Sequence, residues 1–168
     1  VILWETRRVL RARPKVLIVQ HRLGYVMANA GVDQSNLDAP GTALLLPIDP
    51  DASAAGLRAR LAARFGAAPG VIVSDSFGRA WRRGSIGTAI GVAGLPALLD
   101  MRGQPDLAGR TLEVTITGFA DQIASAAALL TGEAAEGRPV VLVRGLAWSA
   151  PDETAMAMIR GEAEDMFL

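Results

Sequence analysis

The apolar residues of this chain come in short runs, and that narrows its fold more than any other feature. Val16–Gln20 (VLIVQ), Gly41–Ile48 (GTALLLPI), Val71–Asp75 (VIVSD), Thr88–Leu95 (TAIGVAGL), Thr111–Thr117 (TLEVTIT) and Pro139–Leu146 (PVVLVRGL) read as strands, separated by Gly, Pro and polar turns. Longer apolar stretches such as Ala124–Leu130 are too short and too Ala-rich to cross a bilayer. Helical spacing is clearest over Asp51–Phe65, where Leu57, Leu61 and Phe65 recur every four residues, Asp51 or Ser53 caps the first turn and Gly66 stops the last. Ala120–Leu130, ending at Gly132, predicts a second helix. Asp152–Phe167 predicts a third, with Asp152 as cap and Met156, Ile159 and Met166 on its apolar side.

The connections fill in the order. Val1–Leu10 fits a short amphipathic helix or a strand, and Arg11–Lys15 is a turn because Pro14 restricts its predecessor. Arg22-Leu23-Gly24 turns VLIVQ back onto an antiparallel partner, Tyr25–Ala28. Asn29–Asn36, Phe77–Gly87 and Asp100–Arg110 are loops. Gly91 and Gly94 suggest a bent strand where backbones approach closely. No internal repeat is present. These elements predict an α+β (mixed α/β) fold with largely antiparallel sheets and flanking helices, in one domain over residues 1–168.

Composition excludes much chemistry. The 168 residues hold no Cys, which removes disulfides, thiolate nucleophiles and Cys-ligated metals; His21 alone cannot build a polyimidazole site. A lone His in a hairpin turn is expected to be exposed and not catalytic. The 17 basic residues balance the 17 acidic ones, giving no electrostatic reason to expect nucleic acid or an anionic membrane. Lys15 is the only Lys. Glu5, Arg7 and Arg8 argue against a signal peptide, so a cytoplasmic protein is expected, and the missing initiator Met suggests a fragment or a processed chain.

What remains is carboxylates, Arg, hydroxyls, amides and backbone. Three segments place acids among small or amide residues: Asp33 with Ser35 and Asn36, Asp75 followed by Ser76, and Glu133 with Glu136 in TGEAAEG. Oxygen donors of this kind suit a hard divalent cation such as Mg²⁺. Spacing alone favours an Asx-turn at Asp33 and an ordinary strand-ending Asp at Asp75. Arg79, Arg82 and Arg83 around Trp81 suit a phosphate or carboxylate with a flat ring, or form a solvated basic loop with Trp81 tucked into the core. Neither a P-loop nor a dinucleotide-binding Gly motif is present.

In order and spacing, NAGVDQSN (29–36), LLPIDPDASA (45–54), SDSFGRAWRRGSIGTAIGVAG (74–94), LLDMRGQPDLAGR (98–110) and ADQIASAAALLTGEAAEGRPVVLVRG (120–145) resemble the coenzyme F-420:γ-L-glutamate ligases. The resemblance runs from about Val1 to Gly145, the family's central and C-terminal part, without its N-terminal Gly-Leu-Pro loop and Lys-bearing segment. It implies a GTP-dependent amide ligase that adds L-glutamate, including by γ-linkage, to the carboxylate of the deazaflavin coenzyme precursor through an acyl phosphate. It implies two divalent ions (Mg²⁺ or Mn²⁺), with K⁺ a further candidate, and a homodimer in which the subunits intertwine.

Carried onto matching positions, it makes Asp33, Asp75, Ser76 and Glu133 metal ligands. It makes Asn36, Thr131, Gly132, Ala134, Ala135, Glu136, Gly137 and Arg138 contacts to GTP. Ser76 stands where Thr is usual, keeping the hydroxyl. Leu23, Ala80 and Arg83 depart from a common His, Pro and Asn. Two alternatives remain open at this point: a catalytically silent metal- and nucleotide-binding domain derived from the ligase, and a metal-dependent phosphohydrolase.

Overall fold

The computed structural model describes residues 1–37 and 39–166. It has mixed α+β architecture with small antiparallel sheets and two α-helices, as the pattern of short runs predicts. Its contacts divide the chain into two compact units. The first holds Val1–Ile48, Phe77–Ser85 and the chain from Ile159 onward; the second holds Asp49–Ser76 and Ile86–Met158.

The first unit is built on an antiparallel meander of β1 (Thr6–Arg13), β2 (Val16–His21) and β3 (Val26–Ala28). The undecided N-terminal stretch resolves into a 3-10 turn over Ile2–Trp4 followed by β1. The turn expected over 11–15 shrinks to Pro14-Lys15, where Lys15 takes φ 69°. Its ring having fixed Pro14, that positive φ reverses the chain in two residues. Val19, Tyr25, Met27, Ala30, Leu46 and Phe77 are the buried apolar residues, with Tyr25 and Phe77 packed edge to face at 5.8 Å. GTALLLPI is not a buried strand. Only Leu44 bridges, to Asp33, and Leu44, Leu45 and Ile48 are exposed while Leu46 turns inward. Pro47 removes a ladder donor, and Gly41 at φ 77° bends the chain.

The second unit gathers α1 (Pro50–Phe65), the hairpin strands β4 (Val71–Arg79) and β5 (Arg82–Ala93), β6 (Leu98–Asp100), β7 (Ile116–Gly118) and α2 (Phe119–Thr131); β4 and β5 extend beyond it at their turn ends. Asp49, and neither Asp51 nor Ser53, caps α1, its side chain accepting from Ala52 N at 2.8 Å. Asp51 is drawn elsewhere: its Oδ1 accepts from Val92 N (2.7 Å) and Ala155 N (2.9 Å). Gly66 ends the helix in the left-handed region, as expected. The stripe Leu57, Leu61, Phe65 does not face this chain's core: Leu57 and Phe65 are exposed, and the helix buries only Pro50 and Ala54.

Phe77–Gly87 is not a loop. β4 continues to Arg79 and β5 starts at Arg82, leaving a turn of two residues. The close approach expected at Gly91 is real, since a Cβ there would collide with the Pro50 carbonyl; Gly87 meets Ala124 in the same way. Ser125 Oγ donates to Gly87 O at 2.7 Å, and Asp121 accepts from Ala89 N at 2.8 Å, so α2 is stitched to β5. Burial raises the Asp121 pKa, and the Ala89 N–H opposes that rise. Ala89, Val92, Leu95, Phe119, Ala120, Ala124 and Ala155 form the core.

Three further expectations change. β7 covers only Ile116–Gly118 of the run predicted over 111–117. PVVLVRGL is not a strand of this chain: no strand is assigned there, and Val140 and Leu142 are exposed. The helix expected over 152–167 reduces to a 3-10 turn at Ala155–Met158; Met156 and Met166 are exposed, and Phe167 lies outside the described residues. Among the described residues no helix is long and apolar enough to cross a membrane.

Candidate functional site

The segment carrying Asp33 is held by unusual backbone. Asn29, Ala30 and Gly31 take positive φ in succession (50°, 55° and 64°). Asn29 Oδ1 accepts from Leu17 N at 2.9 Å, anchoring the turn to β2, and Ala30 is fully buried. At Gly31 a Cβ would lie 2.7 Å from Met27 Cε, a flexible side-chain end, and it is the positive φ that favours glycine here. Asp33 follows, fixed by paired backbone hydrogen bonds with Leu44 of 3.1 and 2.8 Å. Its side chain is an Asx-turn, accepting from Ser35 N (2.9 Å) and Ser35 Oγ (2.6 Å). Those two bonds, the hydroxyl first, lower the Asp33 pKa and keep the exposed carboxylate anionic. The Asx-turn and a ligand role are compatible, since a carboxylate has lone pairs beyond those Ser35 uses. Asn36 is exposed at φ 53°.

Asp75 and Ser76 lie within β4, not at its end; Ser76 N donates to Asp75 Oδ1 at 2.7 Å. Asp75 is half-buried and Ser76 exposed. Strand pairing fixes their backbone and puts successive side chains on opposite faces.

Glu133 is exposed just beyond α2. Gly132 ends the helix at φ 74°, where a Cβ would collide with the Glu136 carboxyl. Glu136 in turn accepts from Ala134 N at 2.8 Å, closing the turn on itself. Thr131 Oγ1 bonds the Ala128 carbonyl at 3.4 Å, and Ala134, Ala135, Gly137 and Arg138 are exposed. A helix C-terminus carries partial negative charge, reinforced here by two Glu. The segment is therefore suited to a cation, and an anionic phosphate would need Arg138 or an intervening cation beside it.

The donor set Asp33, Asp75, Ser76 and Glu133 is all hard oxygen, which fits Mg²⁺ or Mn²⁺ chemistry. Among the described residues, no three Asp, Glu, His or Cys come together as a ready-made metal cluster. A recess of about 540 Å³ in the second unit, lined by Asp51, Val92, Gly94, Asp152, Glu153 and Thr154 among others, holds none of the sequence-predicted residues. Two of its acids are structural: Asp51 bonds as above, and Glu153 Oε2 accepts from Ala97 N and Leu98 N at 3.0 and 2.9 Å. Only the position of Asp51 at a helix start hints at such a role in the sequence.

His21 departs from its expected exposure. It is fully buried, with Nδ1 accepting from Leu23 N at 3.0 Å. That assigns the proton to Nε2, which faces Glu5 Oε2 at 3.2 Å without a well-aligned hydrogen bond. Arg22 Nε donates to the same Glu5 oxygen at 2.7 Å. Burial lowers the His21 pKa from its ordinary 6.5 despite Glu5, and Arg22 holds Glu5 below its ordinary 4.5. Both shifts make the fold bind fewer protons than the unfolded chain, so stability is full above about pH 6.5 and falls on acidification, His21 first and then Glu5. The urea midpoint is expected to drop as the pH falls below about 6.5, and His21→Gln to flatten that part of the profile. An unchanged slope in the variant would remove His21 from this role.

The fold is of the mixed α+β class, and its candidate oxygen donors stand on a turn, a strand and a helix end. The family model for F420-0:Gamma-glutamyl ligase matches residues 1–145. The chain is 46% identical over 172 aligned residues to the coenzyme F420:L-glutamate ligase of Methanopyrus kandleri, covering 99% of this chain and 68% of that protein. It is 46% identical to the Archaeoglobus fulgidus protein of the same name (98% and 65% covered) and 41% identical to that of Methanothermobacter thermautotrophicus (99% and 66%). The chain thus spans about two thirds of the length of these relatives, and it belongs to the F420-0:γ-glutamyl ligase family.

Proposed function

We propose that the protein ligates L-glutamate, including by γ-linkage, to the terminal carboxylate of the deazaflavin coenzyme precursor, consuming GTP. Family membership across residues 1–145, with 46% identity to proteins named as this ligase, is the observation that carries the reading. In the proposed reaction the terminal phosphoryl group of GTP passes to the acceptor carboxylate, giving GDP and an acyl phosphate. The glutamate amine then attacks the acyl carbon, loses a proton, and phosphate leaves.

Asp33, Asp75, Ser76 and Glu133 are the residues we assign to hold Mg²⁺ or Mn²⁺, which when bound neutralises phosphate charge. Asp33 enters that role ionised, because Ser35 lowers its pKa. Asn36 and Thr131, Gly132, Ala134, Ala135, Glu136, Gly137 and Arg138 are assigned to GTP, with Arg138 the cation among them. Lines of exposed apolar residues on α1 (Leu57, Phe65) and in the 140–146 run favour a homodimer in which a second copy covers them. GTP consumption favours a cytoplasmic setting.

Phosphate release from GTP tests the reading. It is expected to require a divalent cation, glutamate and the deazaflavin acceptor together. Release without acceptor would instead identify a phosphohydrolase, and GTP binding without release a silent domain.

A further inference from the structure

The turn joining β4 to β5 has a composition that no folding requirement explains. Trp81 takes φ 65°, a left-handed conformation that Gly or Asn adopts cheaply and a bulky residue rarely does. Its side chain gains nothing by burial, since the residue is 90% exposed. The backbone strain and the exposed indole both count against this residue here, and a local rule broken without structural gain points to a ligand. Arg79 ends β4, and Arg82 and Arg83 open β5. Arg79 is steadied by donating from Nη1 to the Gly84 carbonyl at 3.3 Å. Among the described residues none of the three guanidinium groups pairs with a carboxylate; the Arg–carboxylate pairs lie at Arg7–Glu162, Arg22–Glu5 and Arg102–Asp100. In a chain of zero net charge, this is a local concentration of unbalanced cations beside a flat apolar face.

We infer that the hairpin tip docks a planar fused heteroaromatic ligand with an anionic tail, Trp81 stacking on the ring and Arg82 and Arg83 holding phosphate or carboxylate oxygens. Resting on the ligase reading, we assign that ligand as the deazaflavin acceptor and not GTP, the other reactant with a ring and phosphates. Stacking and charge-assisted bonds act together here, since each fixes the ligand for the other.

Titrating the full-length protein with the deazaflavin precursor alone, without GTP or glutamate, is expected to quench indole fluorescence. Trp81→Ala should lose that quenching although Trp4 and Trp148 remain. In steady state, Trp81→Ala and Arg82→Ala/Arg83→Ala should each raise the acceptor KM by about tenfold, with Trp81→Phe retaining most of the wild-type affinity. Three results would overturn the inference: an unchanged acceptor KM, a raised GTP KM in its place, or an altered oligomeric state in Trp81→Ala, which would mean that a second copy covers the tip. Trp81-dependent quenching by a wild-type protein that forms no ligated product would keep the docking role and discard the ligase reading.

Discussion

Asp75→Asn is expected to lower ligase turnover by about 10³-fold while leaving the protein folded. The amide has the size of the carboxylate, and its oxygen can still accept from Ser76 N, the bond now made at 2.7 Å. β4 should therefore keep its geometry, and the change confines itself to charge. On the proposed assignment a hard cation would lose an anionic ligand, and the compensation of phosphate charge would weaken with it. Turnover measured beside a thermal melt separates the two effects. Activity within tenfold of wild type, in a variant that melts normally, would take Asp75 out of the site.

Asp51→Ala is expected to act on stability, with a loss of about 3 kcal/mol in urea unfolding. One carboxylate oxygen satisfies two backbone donors, Val92 N on β5 and Ala155 N in the 3-10 turn, and so ties α1 to both. Alanine leaves both N–H groups without that acceptor among partly buried surroundings. Asn keeps an oxygen in place and loses only the charge, so Asp51→Asn should cost about 1 kcal/mol. Equal unfolding midpoints for Ala and wild type would mean that water serves the two donors equally well.

Local signals carried much of this fold. VLIVQ, the hairpin return at Gly24, the Gly66 and Gly132 helix stops and the close approach at Gly91 each follow from residue type and a neighbour or two. What misled were apolar runs whose partner is not in the local sequence. PVVLVRGL has a strand's composition and forms no strand among the described residues; Leu57 and Phe65 have a core stripe's spacing and lie exposed. Periodicity reports what a segment would bury, not which surface covers it. The N-cap was missed by two residues because Asp49 and Asp51 are chemically identical, and only β5 decides which of them faces the helix and which the strand. His21 was missed because burial beside Glu5 depends on the β1–β2 register, which pairs Thr6 with His21.

The site divides along the same line. Asp33, Asp75 and Glu133 were legible as acids in small-residue settings, and the local geometry of each is accounted for by Ser35, Ser76 and Gly132. Among the described residues these acids form no ready-made metal cluster, and no periodicity in the sequence speaks to their spatial arrangement.

Mass spectrometry of the deazaflavin product after incubation with GTP, L-glutamate and Mg²⁺ or Mn²⁺ bears most directly on the proposed ligation. The expected result is an acceptor lengthened by glutamyl residues, with one GDP formed for each, and no product when glutamate, GTP or the metal is withheld. An acceptor recovered unchanged while GTP is hydrolysed, or product formed without GTP, would contradict it.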